Sequence, residues 1–203
     1  MRKMIRRAAF CALAAFVFWF GTVAADRQKL SDDLIRLHVV ANSDSEADQS
    51  IKLRVRDAVL ETLSAAMADI SDPEEAKRYL QENLPKIRET ANRVLDQLGV
   101  DEEAVVTLCR EQFDTRHYDT FSLPAGIYNS LRIIIGEGTR KNWWCVVFPG
   151  LCIPATSQGF EDVAAGAGFP EALRGALAGE EEYEIRFFIL DWLGKLEEKW
   201  HGK

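Results

Sequence analysis

Histidine, cysteine and basic residues are all scarce in this chain, and each shortage narrows what the protein does. The three histidines, His38, His117 and His201, contain no pair at metal-ligand spacing. A zinc site would need His38 and His117 to converge in the fold with cysteines or acids, so no metal is expected. Beyond residue 25 there are 21 basic residues against 32 acidic ones, a net charge of −11. An acidic body gains nothing from releasing phosphate counterions, which excludes nucleic acid as a partner class. A phosphate-binding loop is missing as well. Gly136-Glu137-Gly138 lacks the third glycine and sits between strand-like runs, not ahead of a helix. There is no internal repeat, no low-complexity tract, and no second apolar run long enough to cross a membrane.

What is present starts with the leader. Arg2, Lys3, Arg6 and Arg7 fall within the first seven residues, and no acid precedes Asp26. Ala8 to Phe20 is apolar, and Val23-Ala24-Ala25 offers small residues where a signal peptidase reads them. Residues 1–25 therefore read as a signal peptide or a membrane anchor. The alanine junction favours cleavage, while the length of Ala8 to Ala25 suits an uncleaved span. Either way residues 26–203 form a single exported domain, attached to a membrane only through the N-terminal segment. With 47% hydrophobic residues, the chain has enough apolar surface to bury a core.

Taken in order, Asp26 to Asp33 is polar and expected to be loose. Leu34 to Val40 alternates as a strand does, with Ile35, Leu37 and Val39 on one face and Arg36 and His38 on the other. Asn42 to Ser45 carries short capping oxygens. From Glu46 to Met67, Ile51, Val55, Val59 and Leu63 recur at spacings of three and four, which predicts a helix. Asp72-Pro73 starts a second helix, Pro85 is expected to break or kink that helix, and Gly99 suits the residue after its end. Ala104 to Phe113 alternates as a strand. Leu131–Ile135 and Trp143–Phe148 are β-branched and aromatic, and with the glycine-containing segment between them they predict a hairpin. Residues 155–182 read as a mobile loop with a weak helix near Pro170 to Leu177. Glu184 to Leu190 reads as a last strand, and Trp192 to Trp200 as a short helix. The sum is an α+β domain: a largely antiparallel sheet with two or three helices packed on one face.

Candidate sites emerge from this layout. Trp143 and Trp144 point to opposite faces of one strand, so one is expected in the core. The other is either exposed or covered by a helix or the 155–179 segment. Beside Arg140, Lys141 and Asn142, an exposed tryptophan has the composition of an interface anchor. Cys145 and Cys152 are close enough in sequence to form a disulfide outside the cytoplasm, although Cys109 is a possible partner for either. Cys145 near His117 is the only nucleophile arrangement on offer. Its apolar surroundings suit an inert thiol or a disulfide better, so no catalytic residue is assigned. Asp101–Glu103 and Glu180–Glu182 are solvated charge runs.

The segments Leu34 to Gln49, Lys52 to Val59, Leu123 to Gly126 with Tyr128, and Lys141 to Pro149 resemble the stage II sporulation protein R family. Arg-Leu-His-Val-Val-Ala-Asn-Ser-Asp and Asn-Trp-Trp-Cys-Val are specific in combination, and the match covers most of residues 34 to 154. The resemblance implies a signalling protein of endospore formers without catalytic residues or cofactors. It would be exported into the space between forespore and mother cell. Its partner would be the membrane-embedded aspartic protease that matures the sigma factor sigma-E. The alternative drawn from the residues alone is an exported cell-wall enzyme or glycan-binding domain.

Overall fold

The computed structural model describes residues 1–118, 121–138, 142–149 and 159–201. Its six strands are β1 (Ile35–Val40), β2 (Ala104–Phe113), β3 (Arg116–His117), β4 (Ser122–Leu123), β5 (Gly126–Ile135) and β6 (Asn142–Phe148). Its helices are α1 (Arg2–Asp33), α2 (Glu46–Met67), α3 (Pro73–Gln97), α4 (Gly159–Gly166), α5 (Glu171–Ala178) and α6 (Glu184–His201). The main sheet has the order β2-β5-β1-β6. The β2–β5 and β1–β6 pairs are antiparallel and β1–β5 is parallel, so the fold is α+β on a largely antiparallel sheet.

Strand β1 organises the sheet. All six of its residues are buried, and it is hydrogen-bonded on both edges. Leu37 lies between Leu131 of β5 and Cys145 of β6, and His38 between Arg132 and Trp144. Leu37, Val39, Leu131, Ile133, Cys145 and Val147 form one core with Val55, Val59 and Leu63 of α2 and Leu80, Ile87 and Leu95 of α3. These two helices start where their caps dictate. Ser45 Oγ accepts the Asp48 N–H at 3.1 Å, and Asp72 Oδ1 accepts the Glu75 N–H at 2.8 Å ahead of Pro73. Gly99, at φ 68°, ends the α3 turn as expected.

A second core lies on the opposite side, built on Phe113, Tyr128 and Val146. Val23 and Leu30 of α1, Leu173 and Leu177 of α5 and Leu190 of α6 complete it. Helices thus cover both faces of the sheet.

Five local expectations give way. The predicted hairpin does not form, because β1 lies between β5 and β6. Just beyond β5, Asn42 Oδ1 accepts the Glu137 N–H at 3.1 Å and Gly136, at φ 59°, leaves room for the Asn42 side chain, which ties this point to the residues that follow β1. Pro85 does not end its helix, since α3 runs unbroken through it. Glu184 to Leu190 is the first half of α6. Its short apolar run has no period that separates strand from helix. In segment 159–178 the helix expected near Pro170 to Leu177 is α5, but α4 stands where loop was expected, and 155–158 fall outside the described residues. Asp26 to Asp33 is not loose. It is the last part of α1, with Asp26, Arg27, Leu30 and Ser31 buried.

Helix α6 seats closely on the rest of the body. Gly194 lies against the Ala125 carbonyl, where a Cβ would collide with backbone. Asp191 accepts the Ala125 N–H at 2.8 Å and the Thr115 hydroxyl. Arg186 Nε donates to Asp26 Oδ2 at 2.8 Å, and Arg27 pairs with Glu197 at 2.7 Å.

Candidate functional site

The strand pattern places the chemistry. Alternation along β1 sends Leu37 and Val39 towards α2 and α3 and turns Arg36 and His38 to the other side. On that side His38 stacks on Trp144 with ring centroids 3.8 Å apart. Phe113 meets Trp144 edge-on at 4.7 Å, and the Arg116 guanidinium lies 5.5 Å from the Trp144 ring. His38 Nδ1 is 2.9 Å from Glu111 Oε1, whose second oxygen faces Arg132 Nε at 3.8 Å. Four separate strands, β1, β2, β5 and β6, and the β3–β4 hairpin contribute to this patch. It is half open to solvent: Arg116 and His117 are exposed, and Trp144 and Arg132 are partly so.

Arg36 sits beneath it, fully buried. Its guanidinium lies 4.0 Å over the Phe113 ring, and Nη2 donates to the Tyr118 hydroxyl at 3.3 Å. Nε and Nη1 have no hydrogen-bond partner among the described residues. Burial lowers the Arg36 pKa, with the polar Tyr118 and Tyr128 rings opposing that shift. The β3–β4 hairpin closes over Arg36, held by the Tyr118 N–H donating to the Phe121 carbonyl at 2.8 Å and by stacking of those two rings at 4.5 Å.

The electrostatics favour recognition over covalent chemistry. Burial pushes the Glu111 carboxyl up, but the hydrogen bond and charge of His38 and the charge of Arg132 outweigh it, so the net shift is downward. Glu111 is therefore an ionised anchor that holds the His38 ring and faces the Arg132 guanidinium. Cys109 is shifted up by burial and by Glu111, which keeps it a thiol and a poor nucleophile. Among the described residues no group of three or more His, Cys, Asp or Glu side chains is placed to hold a metal.

The residues expected at a partner surface are divided by the fold. Trp144 belongs to the patch. Trp143 turns to the other face, packs against the first core, and carries the Arg56 guanidinium 4.2 Å from its ring. Both tryptophans are half-buried, so neither is the fully exposed one. Asn142 is exposed at the start of β6. Arg140, Lys141 and Cys152 lie outside the described residues. Cys145 is buried and faces Leu37 across the β1–β6 pair, away from His117. Sequence reasoning placed Arg36 and His38 on a common face but missed Glu111, Arg116 and Arg132. Their convergence depends on β1 lying between β5 and β6, and no local pattern carries that.

Comparison with known proteins adds an independent line. A family described as stage II sporulation protein R matches residues 31–158. A curated protein of that description from Bacillus subtilis (strain 168) is 33% identical over 188 residues, covering 82% of this chain and 83% of the relative. No solved structure matches.

Proposed function

Because the chain belongs to the stage II sporulation protein R family, whose members are sporulation signalling proteins and not enzymes, we propose that it is an exported ligand for a membrane-embedded aspartic protease. In this reading it crosses the membrane behind α1 and enters the space between forespore and mother cell. There it activates the protease that matures sigma-E. A Cys145–Cys152 bridge, formed after export, would tie the end of β6 to the chain beyond it.

The observation that carries this proposal is the Trp144 patch. Trp144 is held rigidly between His38, Phe113 and Arg116, and a preformed aromatic–cationic surface binds with little ordering cost. It is a local basic and aromatic feature on an acidic body, suited to an acidic or carbonyl-rich segment of a partner. Asn142 is exposed at the start of β6, and Arg140 and Lys141, which precede it in sequence and lie outside the described residues, are proposed as part of the same contact. The alternative of an exported enzyme is overturned by the family to which the chain belongs.

The test is co-expression with the candidate protease and its sigma-factor precursor in a non-sporulating host, with cleavage scored by blot. Arg116→Ala alters an exposed residue of β3, and Arg140→Ala with Lys141→Ala alters the two basic residues ahead of β6. Their melting temperatures should stay within the range of surface substitutions, about 0.5 kcal/mol, while cleavage falls sharply. Full cleavage with folded variants would move the contact surface elsewhere. No cleavage with the wild-type chain would refute the activator reading itself.

A further inference from the structure

The outward row of α6 has no role in the fold. Ile185, Phe188 and Trp192 are 69%, 67% and 48% exposed. Their spacings of three and four put them on one face of the helix, away from buried Arg186, Leu190 and Gly194. Lys195 and Lys199, both exposed, continue the same row, and Lys195 pairs with Asp191. Isolated exposed apolar residues need no explanation, but three large ones in a row on one short helix do.

Their neighbour is α1, which is long and apolar enough to cross a membrane. Residues 1–18 are exposed throughout, and the first buried residue of α1 is Val23. Arg186 joins α6 to Thr22 at 3.3 Å and to Asp26. Where the two helices diverge, Phe16 and Trp19 of α1 and Ile185 and Tyr183 of the α6 region line an open groove of about 560 Å³.

Length decides what lies against this face. The apolar part of α1 clear of the body, Ala8 to Gly21, has 14 residues, or about 21 Å of helix. The hydrocarbon layer is about 30 Å thick. A body fixed to α1 at Thr22 and Asp26 therefore cannot stand clear of the bilayer. It is drawn down until the surface beside α1 enters the outer leaflet, and the row on α6 is that surface. Trp19 and Trp192 suit the aromatic belt at the lipid–water boundary, and Lys199 can reach headgroup phosphates.

We propose that the Ile185–Phe188–Trp192 face of α6 is a membrane seat, embedded in the outer leaflet of the bilayer that α1 crosses. The proposal rests on the reading that α1 remains attached and spans the membrane. Glu180, Glu181, Glu182 and Glu184 adjoin the seat. Attraction to anionic lipid is thereby opposed, so the contact is apolar and insensitive to salt.

The test uses the full chain reconstituted into phosphatidylcholine vesicles, with a photo-crosslinking amino acid placed singly at positions 16, 105 and 188. Val105, on edge strand β2, is 54% exposed and serves as the aqueous control. Lipid adducts are expected at 16 and 188 and not at 105, unchanged in high salt. Adducts at 16 without any at 188 would overturn the seat while leaving the anchor reading intact. Absence at both 16 and 188 would overturn the anchor reading and the seat with it. Crosslinks from 188 to a second copy of the chain, or to the protease when it is included, would assign the face to protein and overturn the proposal.

Discussion

Arg36 is a cation enclosed in the second core with two nitrogens that find no hydrogen-bond partner among the described residues, and it marks where single residues are committed to something besides stability. Replacing a buried charge by an apolar side chain of similar volume is often neutral or stabilising by about 1–4 kcal/mol. Arg36→Met should accordingly melt at the same temperature as wild type or higher. Loss of cleavage activity in so stable a variant would tie Arg36 to signalling, and a clear fall in melting temperature would show that its contacts with Phe113 and Tyr118 are structural. Glu111 predicts a pH dependence. Its folded pKa lies below its unfolded value, so its contribution is present above the unfolded pKa and is lost as pH falls through the folded one. Glu111→Gln removes that contribution. Melting temperature measured from neutral pH downward should then decline less steeply in the acid range for the variant than for wild type. An equal decline would assign the acid sensitivity to other carboxylates, Asp191 first, since hydrogen bonds from Ala125, Lys195 and Thr115 shift it downward against the opposing effect of burial.

Among the elements, α6 gives the clearest stability predictions. A Cβ at position 194 collides with the Ala125 backbone, so Gly194→Ala should cost about 1–3 kcal/mol despite alanine's better helix propensity. Arg186→Ala leaves Asp26 buried without its partner and should cost about 3–5 kcal/mol. Denaturant unfolding of both variants checks these values, and a neutral Gly194→Ala would mean that α6 shifts freely on the sheet. Helix α2 was legible residue by residue, because Val55, Val59 and Leu63 keep a helical period and Ser45 marks its start; Asp72 marks the start of α3, whose continuity Pro85 concealed. Strand β2 was legible for the corresponding reason, its period of two. Helix α6 was not, because the apolar residues of Ile185 to Leu190 fall on every side and the one charged residue, Arg186, packs inward with Leu190 while Ile185 and Phe188 stay outside. The pairing of β5 and β6 was illegible for a different reason. Their own composition favours strands correctly, but what separates them is β1, about 90 residues earlier in the chain. The candidate site inherits that blind spot. Trp144 could be named from sequence, but its setting of His38, Glu111 and Arg116 could not.

At the scale of the whole molecule, α1 runs through the Ala25–Asp26 junction, where the sequence favours cleavage; Ala24 and Ala25 are exposed, but packed residues flank them. Val23 is buried on one side, and Asp26 is paired with Arg186 on the other. A folded helix is a poor substrate for a peptidase that reads extended chain. Mass spectrometry of the exported protein should accordingly find residues 1–25 retained in the membrane fraction, whereas a species beginning at Asp26 would mean that cutting precedes folding. Order of appearance matters here because of β1. In the proposed export it is the first strand to cross, and the sheet is centred on it, yet its hydrogen-bonding partners are strands that start at Gly126 and Asn142. Emerging N-terminus first, β1 has no partner until most of the chain has come through, and α6, which locks the end of α1, comes last. Long-range pairings of this kind form slowly. For a chain exported as proposed, the topology would act as a timer: the chain would stay pliable enough to thread a translocation channel and become a rigid signal only after reaching the far side.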